Sequence, residues 1–449
     1  MPETFSLIIK NTIPVTSTTS PLSEERTDIG IKEGKIAHIG PLSRAQADQV
    51  LDAHGLYTLP GLIDTQVHFR EPGFEYKETI ASGTRAALLG GVTGIFEMPN
   101  TSPPTTTLSA LKDKLQRAQK SAWCHYAFYV GACSENINHL QELEQVPGCC
   151  GVKVFVGSST GSLLMSEPHL IKKAMLSGSK RMAFHCEDET RLRERKPLLK
   201  EQTHNPSFHP IWRDEKTALL ATQMIVQLAH ETQRPTHILH VSTKEEMLFL
   251  KKEKKGDLIS VEVTPQHLTL HAPDCYQELG TLAQMNPPIR SLEHQKALWE
   301  GLVNNTVDIV ASDHAPHTLE EKNKPYPQSP SGMPGVQTIV PLMLHHVAEK
   351  RLSLQRLVQL MAENPARLFG IPNKGRVAIG YDADLTLVDL SANKVITNQS
   401  MASLSQWTPF AGLKVKGWPI ATILNGEIAM HEGELTLSQP IGCPYTFKA

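Results

Sequence analysis

The 449-residue sequence predicts an α/β fold, a β/α barrel with a small β domain beside it. Three observations carry that expectation. From about residue 59 to 372 apolar strands alternate with helical patterns, as the repeated βα units of a parallel sheet do. Nearly every one of those strands closes on a polar residue, and a β/α barrel places its active site at its strand ends. The two chain ends read instead as short strands and turns, each too small to bury a core alone. Their pairing into one small domain is the economical arrangement. An open doubly wound sheet is the alternative, and no Gly-x-Gly-x-x-Gly follows a strand to support it.

The elements follow in order. Residues 6–9 alternate weakly, and 29–31 and 36–39 flank the turn Glu33-Gly34-Lys35, a hairpin signal. The body offers strands such as 94–98 (GIFEM), 152–156 (VKVFV), 182–185 (MAFH), 238–241 (ILHV), 259–263 (ISVEV) and 307–311 (VDIVA). Helical stretches between them include 109–120, 217–231 and 294–303. Strand texture returns at 384–389, 421–424 and 428–430, the last two around Asn425-Gly426. The expected division is a β domain from 1–58 with 373–449, and a barrel over 59–372.

Length and composition bound the function. A chain of 449 residues exceeds the size at which single cores stop growing, roughly 250–300 residues, so it holds a barrel-sized domain and a smaller one. Hydrophobic content of 40% and charged content of 20% are those of a soluble globular protein. The net charge is −2, and the densest basic cluster, Lys251-Lys252-Glu253-Lys254-Lys255, is broken by an acid. A solvated helix end explains it, with no nucleic-acid partner. No run of about 18 apolar residues predicts a membrane span, and residues 1–12 lack the pattern of a signal peptide. Seven cysteines without Cys-x-x-Cys spacing read as reduced thiols of a cytoplasmic enzyme.

The chemistry concentrates in residues 59–73, LPGLIDTQVHFREPG. Asp64, Gln66, His68 and Arg70 alternate, so they share one strand face. Four polar groups on a face that should be apolar point to the mouth of a cavity; the bland reading is an edge strand with its polar face in water. Further strand ends bring Lys153, His185, His240 and Asp313. Imidazoles and a carboxylate suit zinc or a similar divalent ion. Lys153 within VKVFV would be costly to bury charged, unless it snorkels to the surface. Arg70 offers a planar fork matched to a carboxylate, and Asn100 sits just past a strand end. Residues 317–335 hold four prolines and no periodicity, the mark of a lid or pocket wall.

The continuation Phe69-Arg70-Glu71-Pro72-Gly73 resembles the dihydroorotases of the amidohydrolase superfamily. So do 98–101 (MPNT), 151–161 (GVKVFVGSSTG), 207–213 (SFHPIWR), 263–268 (VTPQHL), 284–290 (QMNPPIR), 311–317 (ASDHAPH) and 364–370 (NPARLFG). The resemblance implies a (β/α)8 TIM-type barrel with a small β-sandwich domain. It implies that His68, Lys153, His185, His240 and Asp313 bind Zn2+, one or two per chain, with Lys153 carboxylated by CO2. Asp313 would be the catalytic proton carrier. Arg70, Asn100 and His317 would hold a substrate carboxylate and Asn286 the ring, with a mobile loop at 158–161. The implied reaction is the reversible cyclisation of a small-molecule substrate, N-carbamoyl-L-aspartate, to L-dihydroorotate in pyrimidine biosynthesis, carried out by a homodimer. The chain departs from the family at Gln66, where a histidine is usual; an amide oxygen is a weak metal ligand at most. Relatives that hydrolyse hydantoins or allantoin typically lack an arginine at position 70. A non-catalytic partner of aspartate transcarbamoylase is the alternative that Gln66 raises.

Overall fold

The computed structural model describes residues 4–16, 24–159, 163–200 and 204–448. Strands β1 (Thr4–Pro14), β2 (Thr27–Lys32), β3 (Lys35–Ile39), β4 (Gln46–Asp52) and β5 (Tyr57–Pro60) come first. The hairpin expected around Gly34 forms, with Ile31 opposite Ile36. The barrel strands follow as β6 (Leu62–Val67), β7 (Val92–Glu97), β8 (His125–Gly131), β9 (Cys149–Phe155), β10 (Met182–His185), β11 (Thr236–Ile238), β12 (Ile259–Val263) and β13 (Ile309–Val310). The chain ends on β14 (Leu385–Val395), β15 (Lys414–Leu424), β16 (Glu427–His431) and β17 (Glu434–Leu435).

Strands β6 to β13 lie in sequence order in one eight-stranded parallel sheet. A parallel bridge between Val67 and His314 joins its two edges, and the His68 N–H donates to the His314 carbonyl at 2.7 Å. The sheet is therefore a barrel, not an open doubly wound sheet. Helices Leu108–Ser121, Glu215–Thr232 and Leu292–Val303 stand where the 3.6-residue period places them. Thr107 and Asp214 cap the first two, each accepting an N–H of the first turn. Ile63, Phe96, Ala127, Tyr129, Ala183, Ile309 and Phe369 belong to the apolar cluster inside the barrel. Phe96 meets Tyr129, Phe369, Tyr445 and Phe447 edge-on, so this plug draws on the C-terminal tail as well.

The second sheet runs β17-β16-β15-β14-β5-β1-β2-β3, with β4 added to β1. Its centre is β5, which pairs parallel with β1 and antiparallel with β14, so the two chain ends share one sheet. Leu7, Ile9, Ile29, Ile31, Leu385, Leu387 and Ile423 close one core there. Among the described residues no helix is long and apolar enough to cross a membrane. All seven cysteines are free thiols.

Several elements differ from the sequence expectation. Strand β6 stops at Val67, so His68 and Arg70 leave it on the loop beyond. The strand expected over 238–241 ends at Ile238, and His240 beyond it takes a left-handed backbone, φ 36°. Strand β8 carries no strand-end residue of catalytic type and is passed over by that criterion. Residues 317–335 hold a short helix, Leu319–Lys322, whose buried Lys322 donates to the carbonyls of Gln284, Pro330 and Gly332 at 3.1, 2.9 and 2.9 Å. The segment is thereby folded into a wall. Gly332 in that wall has φ 137°, and a Cβ there would lie 2.5 Å from the Ala315 carbonyl oxygen.

Candidate active site

The C-terminal ends of the barrel strands surround a narrow cleft. Its lining includes Gln66, His68, Arg70, Asn100, Lys153, His185, His240, Asn286 and Asp313. All but one of the residues singled out from sequence for metal or substrate thus meet in one place. The exception is His317, which is buried one layer behind: its Nε2 lies 3.3 Å from Arg70 Nη2 and 3.1 Å from the Ser331 carbonyl oxygen. Asp64 shares the alternating face but is not part of the lining; its Oδ1 accepts the Ser312 N–H at 2.9 Å. Burial pushes its carboxyl up to about 7.

Every residue of β6 is buried, which removes the reading of an edge strand in water. Lys153 is 1% exposed and does not snorkel. Its Nζ has no hydrogen-bond partner among the described residues, and burial lowers the amine to about 7. Three lining residues, Arg70, His240 and Asp313, hold left-handed backbones with φ of 63°, 36° and 45°. Such conformations cost of order 1–3 kcal/mol and persist where surrounding structure fixes them, often at functional sites.

Two clusters face each other across Lys153. In the first, His185 Nδ1 stands 3.0 Å from His240 Nε2. His185 Nε2 is 2.9 Å from Glu187 Oε2, and Arg213 Nε donates to Glu187 Oε1 at 3.0 Å. Burial works to raise the Glu187 carboxyl, but Arg213 and His185 outweigh it and hold it well below the usual range. An ionised Glu187 accepts the Nε2–H of His185, which leaves the Nδ1 lone pair toward the cleft. In the second cluster His68 Nε2 is 3.2 Å from Asp313 Oδ1. Gln66 Nε2 donates to the same oxygen at 2.9 Å, and His68 Nδ1 lies 2.7 Å from Asn100 Oδ1.

Sequence reasoning passed over Glu187 and Trp407. Glu187 lies two residues after His185, and that spacing could have marked it. Trp407 Nε1 donates to the His317 carbonyl at 2.8 Å from a distant C-terminal segment, with no local signal. Ser159 and Ser331 also enter the lining. Ser158 donates through N and Oγ to Glu189 at 2.8 and 2.6 Å. The remainder of the loop expected at 158–161, Thr160 and Gly161, lies outside the described residues.

A buried amine lowered to about 7, paired imidazoles and a carboxylate at barrel strand ends fit a divalent cation. Lys153 Nζ and Gln66 Oε1 are buried polar atoms without described partners, and both residues line the cleft with the groups that would hold the ion. This arrangement defines a metal-dependent hydrolase of the barrel type. The amidohydrolase family model matches residues 57–429. Dihydroorotase from Methanosarcina mazei is 36% identical over 424 residues, covering 91% of this chain and 92% of its own. Dihydroorotase from Bacillus subtilis is 33% identical over 421 residues, covering 91% and 95%. Among solved structures, L-hydantoinase (dihydropyrimidinase) from Arthrobacter aurescens has a TM-score of 0.93 at 29% identity, covering 98% of this chain and 100% of its own. The chain belongs to the amidohydrolase family, as a metal-dependent cyclic amidohydrolase grouped with the dihydroorotases.

Proposed function

We propose that the chain interconverts N-carbamoyl-L-aspartate and L-dihydroorotate. The observation that carries this reading is Arg70. It is 3% exposed and lines the cleft, and no described carboxylate forms an ion pair with it. Its Nε donates to the Pro316 carbonyl at 3.1 Å. Burial lowers the guanidinium to about 10, so it stays charged at neutral pH. A buried, charged fork in a small cleft calls for an anionic ligand, and the carboxylate of dihydroorotate supplies one. Asn100, 2.7 Å from His68 Nδ1 through its Oδ1, would share that carboxylate, and His317 lies behind the arginine.

His185 and His240, with Lys153, would hold a zinc ion. A buried neutral amine is the form that adds CO2, releasing a proton and becoming an anionic carbamate; this supports carboxylation of Lys153. When bound, the ion supplies Lewis acidity and a water acidic enough to react near neutral pH. Asp313 then accepts a proton from the attacking water and delivers it to the ring nitrogen as the amide C–N bond breaks. That nitrogen becomes the terminal NH2 of the carbamoyl group. Arg70, Asn100 and Asn286 hold the ring in register, which supplies orientation.

The reading extends to a cytoplasmic homodimer, to association with aspartate transcarbamoylase, and to a division of the chain into 1–58 with 373–449 and 59–372. These extensions rest on likeness to the family. Hydantoin hydrolysis is the second reading, favoured by the TM-score of 0.93 to the Arthrobacter L-hydantoinase. A panel of dihydroorotate, hydantoin, dihydrouracil and allantoin separates them. Preferred turnover of dihydroorotate is expected, and preference for an uncharged ring would overturn the proposal. No turnover by a folded, zinc- and bicarbonate-supplied sample would leave a silent partner subunit.

A further inference from the structure

The two clusters across Lys153 are not equivalent toward a cation. Among the described residues no three His, Cys, Asp or Glu side chains are arranged to hold a metal ion. In the lining of the cleft the first cluster offers His185 and His240, the second offers His68 and Asp313, and Lys153 lines the same cleft. The first cluster is built for a cation. His185 and His240 turn ring nitrogens toward each other at 3.0 Å, and Glu187 fixes the tautomer that makes the His185 Nδ1 an acceptor, a lone pair that an ion can take in place of the His240 N–H.

The second cluster differs through Gln66. Its Nε2–H occupies Asp313 Oδ1 at 2.9 Å, the same oxygen that His68 Nε2 approaches at 3.2 Å. An oxygen already engaged by an N–H donor has a lone pair fewer for an ion. An amide nitrogen is no ligand, because its lone pair is delocalised into the carbonyl. Turning the amide over would face Oε1 to the carboxylate and withdraw its donor from Asp313. Even then a neutral amide oxygen replaces the imidazole that a zinc site favours. The hydrogen bond gives Asp313 part of what a cation would otherwise give: it stabilises the buried carboxylate and fixes its direction.

We propose that this chain has a single-ion centre at Lys153, His185 and His240, and that Gln66 takes the place of a second ion by holding Asp313 through its amide N–H. This rests on the reading of the cleft as a cyclic amide hydrolase site. Asp313 is then a proton carrier oriented by Gln66 and His68 and not itself a metal ligand.

The test is zinc per chain by mass spectrometry on full-length protein equilibrated with zinc and bicarbonate, then freed of loosely held ion. Wild type is expected to retain one ion, Gln66→His two, and Asp313→Asn one. Co2+-loaded wild type should give the electron paramagnetic resonance of an isolated high-spin ion. Two ions retained by wild type, a spin-coupled cobalt pair, loss of the ion in Asp313→Asn, or a Gln66→His variant that stays at one would overturn the proposal. If Gln66→His does not fold, His185→Ala decides: retention of no ion supports a single centre, and retention of one refutes it. Dihydroorotate turnover is scored separately. One ion without turnover fails only the assigned reaction, and two ions with turnover fail only the single-ion centre.

Discussion

Arg70→Lys keeps the charge and removes the fork. A guanidinium carries five N–H donors. Nε is engaged by the Pro316 carbonyl and Nη2 lies near His317, so at least Nη1 and part of Nη2 remain for a ligand. A lysine presents one rotating ammonium, loses the bond to Pro316 and cannot grip two carboxylate oxygens in a plane. Disturbing one partner of a buried, hydrogen-bonded charge pair typically costs about 2–5 kcal/mol. Because lysine retains the charge, the lower part of that range applies, about 2–4 kcal/mol. At 1.36 kcal/mol per tenfold, kcat/KM for dihydroorotate should fall by about 30- to 1,000-fold. The carboxylate does not react, so the loss should lie mainly in KM. Dihydrouracil lacks the carboxylate, so its kcat/KM should be little changed. Steady-state kinetics on both substrates, with thermal unfolding to verify the fold, make the assay. An equal loss on both substrates, or no loss on dihydroorotate, would refute the role given to Arg70.

Three further outcomes are expected. Lys153→Ala should lose bound zinc and turnover together, with partial rescue by a small carboxylate such as propionate that can enter the vacated space; full zinc content in the variant would contradict the ligand role. Glu187→Gln removes the anion that accepts the His185 N–H and takes from Arg213 its counter-charge; zinc affinity, measured by chelator competition, should weaken by about 10- to 100-fold. Lys322 is fully buried, and burial lowers its amine from 10.5 to about 7. Between those values the unfolded chain binds a proton that the native state does not, so the native state gains stability as pH rises from 7 toward 10.5. The slope is about 1.4 kcal/mol per pH unit. Lys322→Met cannot titrate, so its urea midpoint should show a shallower rise from pH 7 to 9 than that of wild type; parallel rises would refute the assignment.

The barrel was legible because its signals are local. Strands such as 259–263 are short apolar runs, helices such as 217–231 carry a 3.6-residue period, and the hairpin at Gly34 is a turn signal in a few residues. The site residues were legible for a related reason: barrel strands deliver their last side chains to one rim, so Gln66, Lys153, His185 and Asp313 stand out against apolar neighbours.

What sequence alone determined was therefore the class of fold, the strand ends that bear chemistry and the candidate ligands themselves. Tertiary structure decided the contacts between distant segments. It set His317 behind Arg70 and brought Trp407 onto the His317 carbonyl from 90 residues away. It gave His240 its left-handed turn and ended the strand early. It also chose which atom Gln66 offers to Asp313, 247 residues distant. The physical reason is that periodicity and turn chemistry act over a few residues, whereas the direction of a buried polar group is set by whichever partner the closed barrel places within hydrogen-bonding reach.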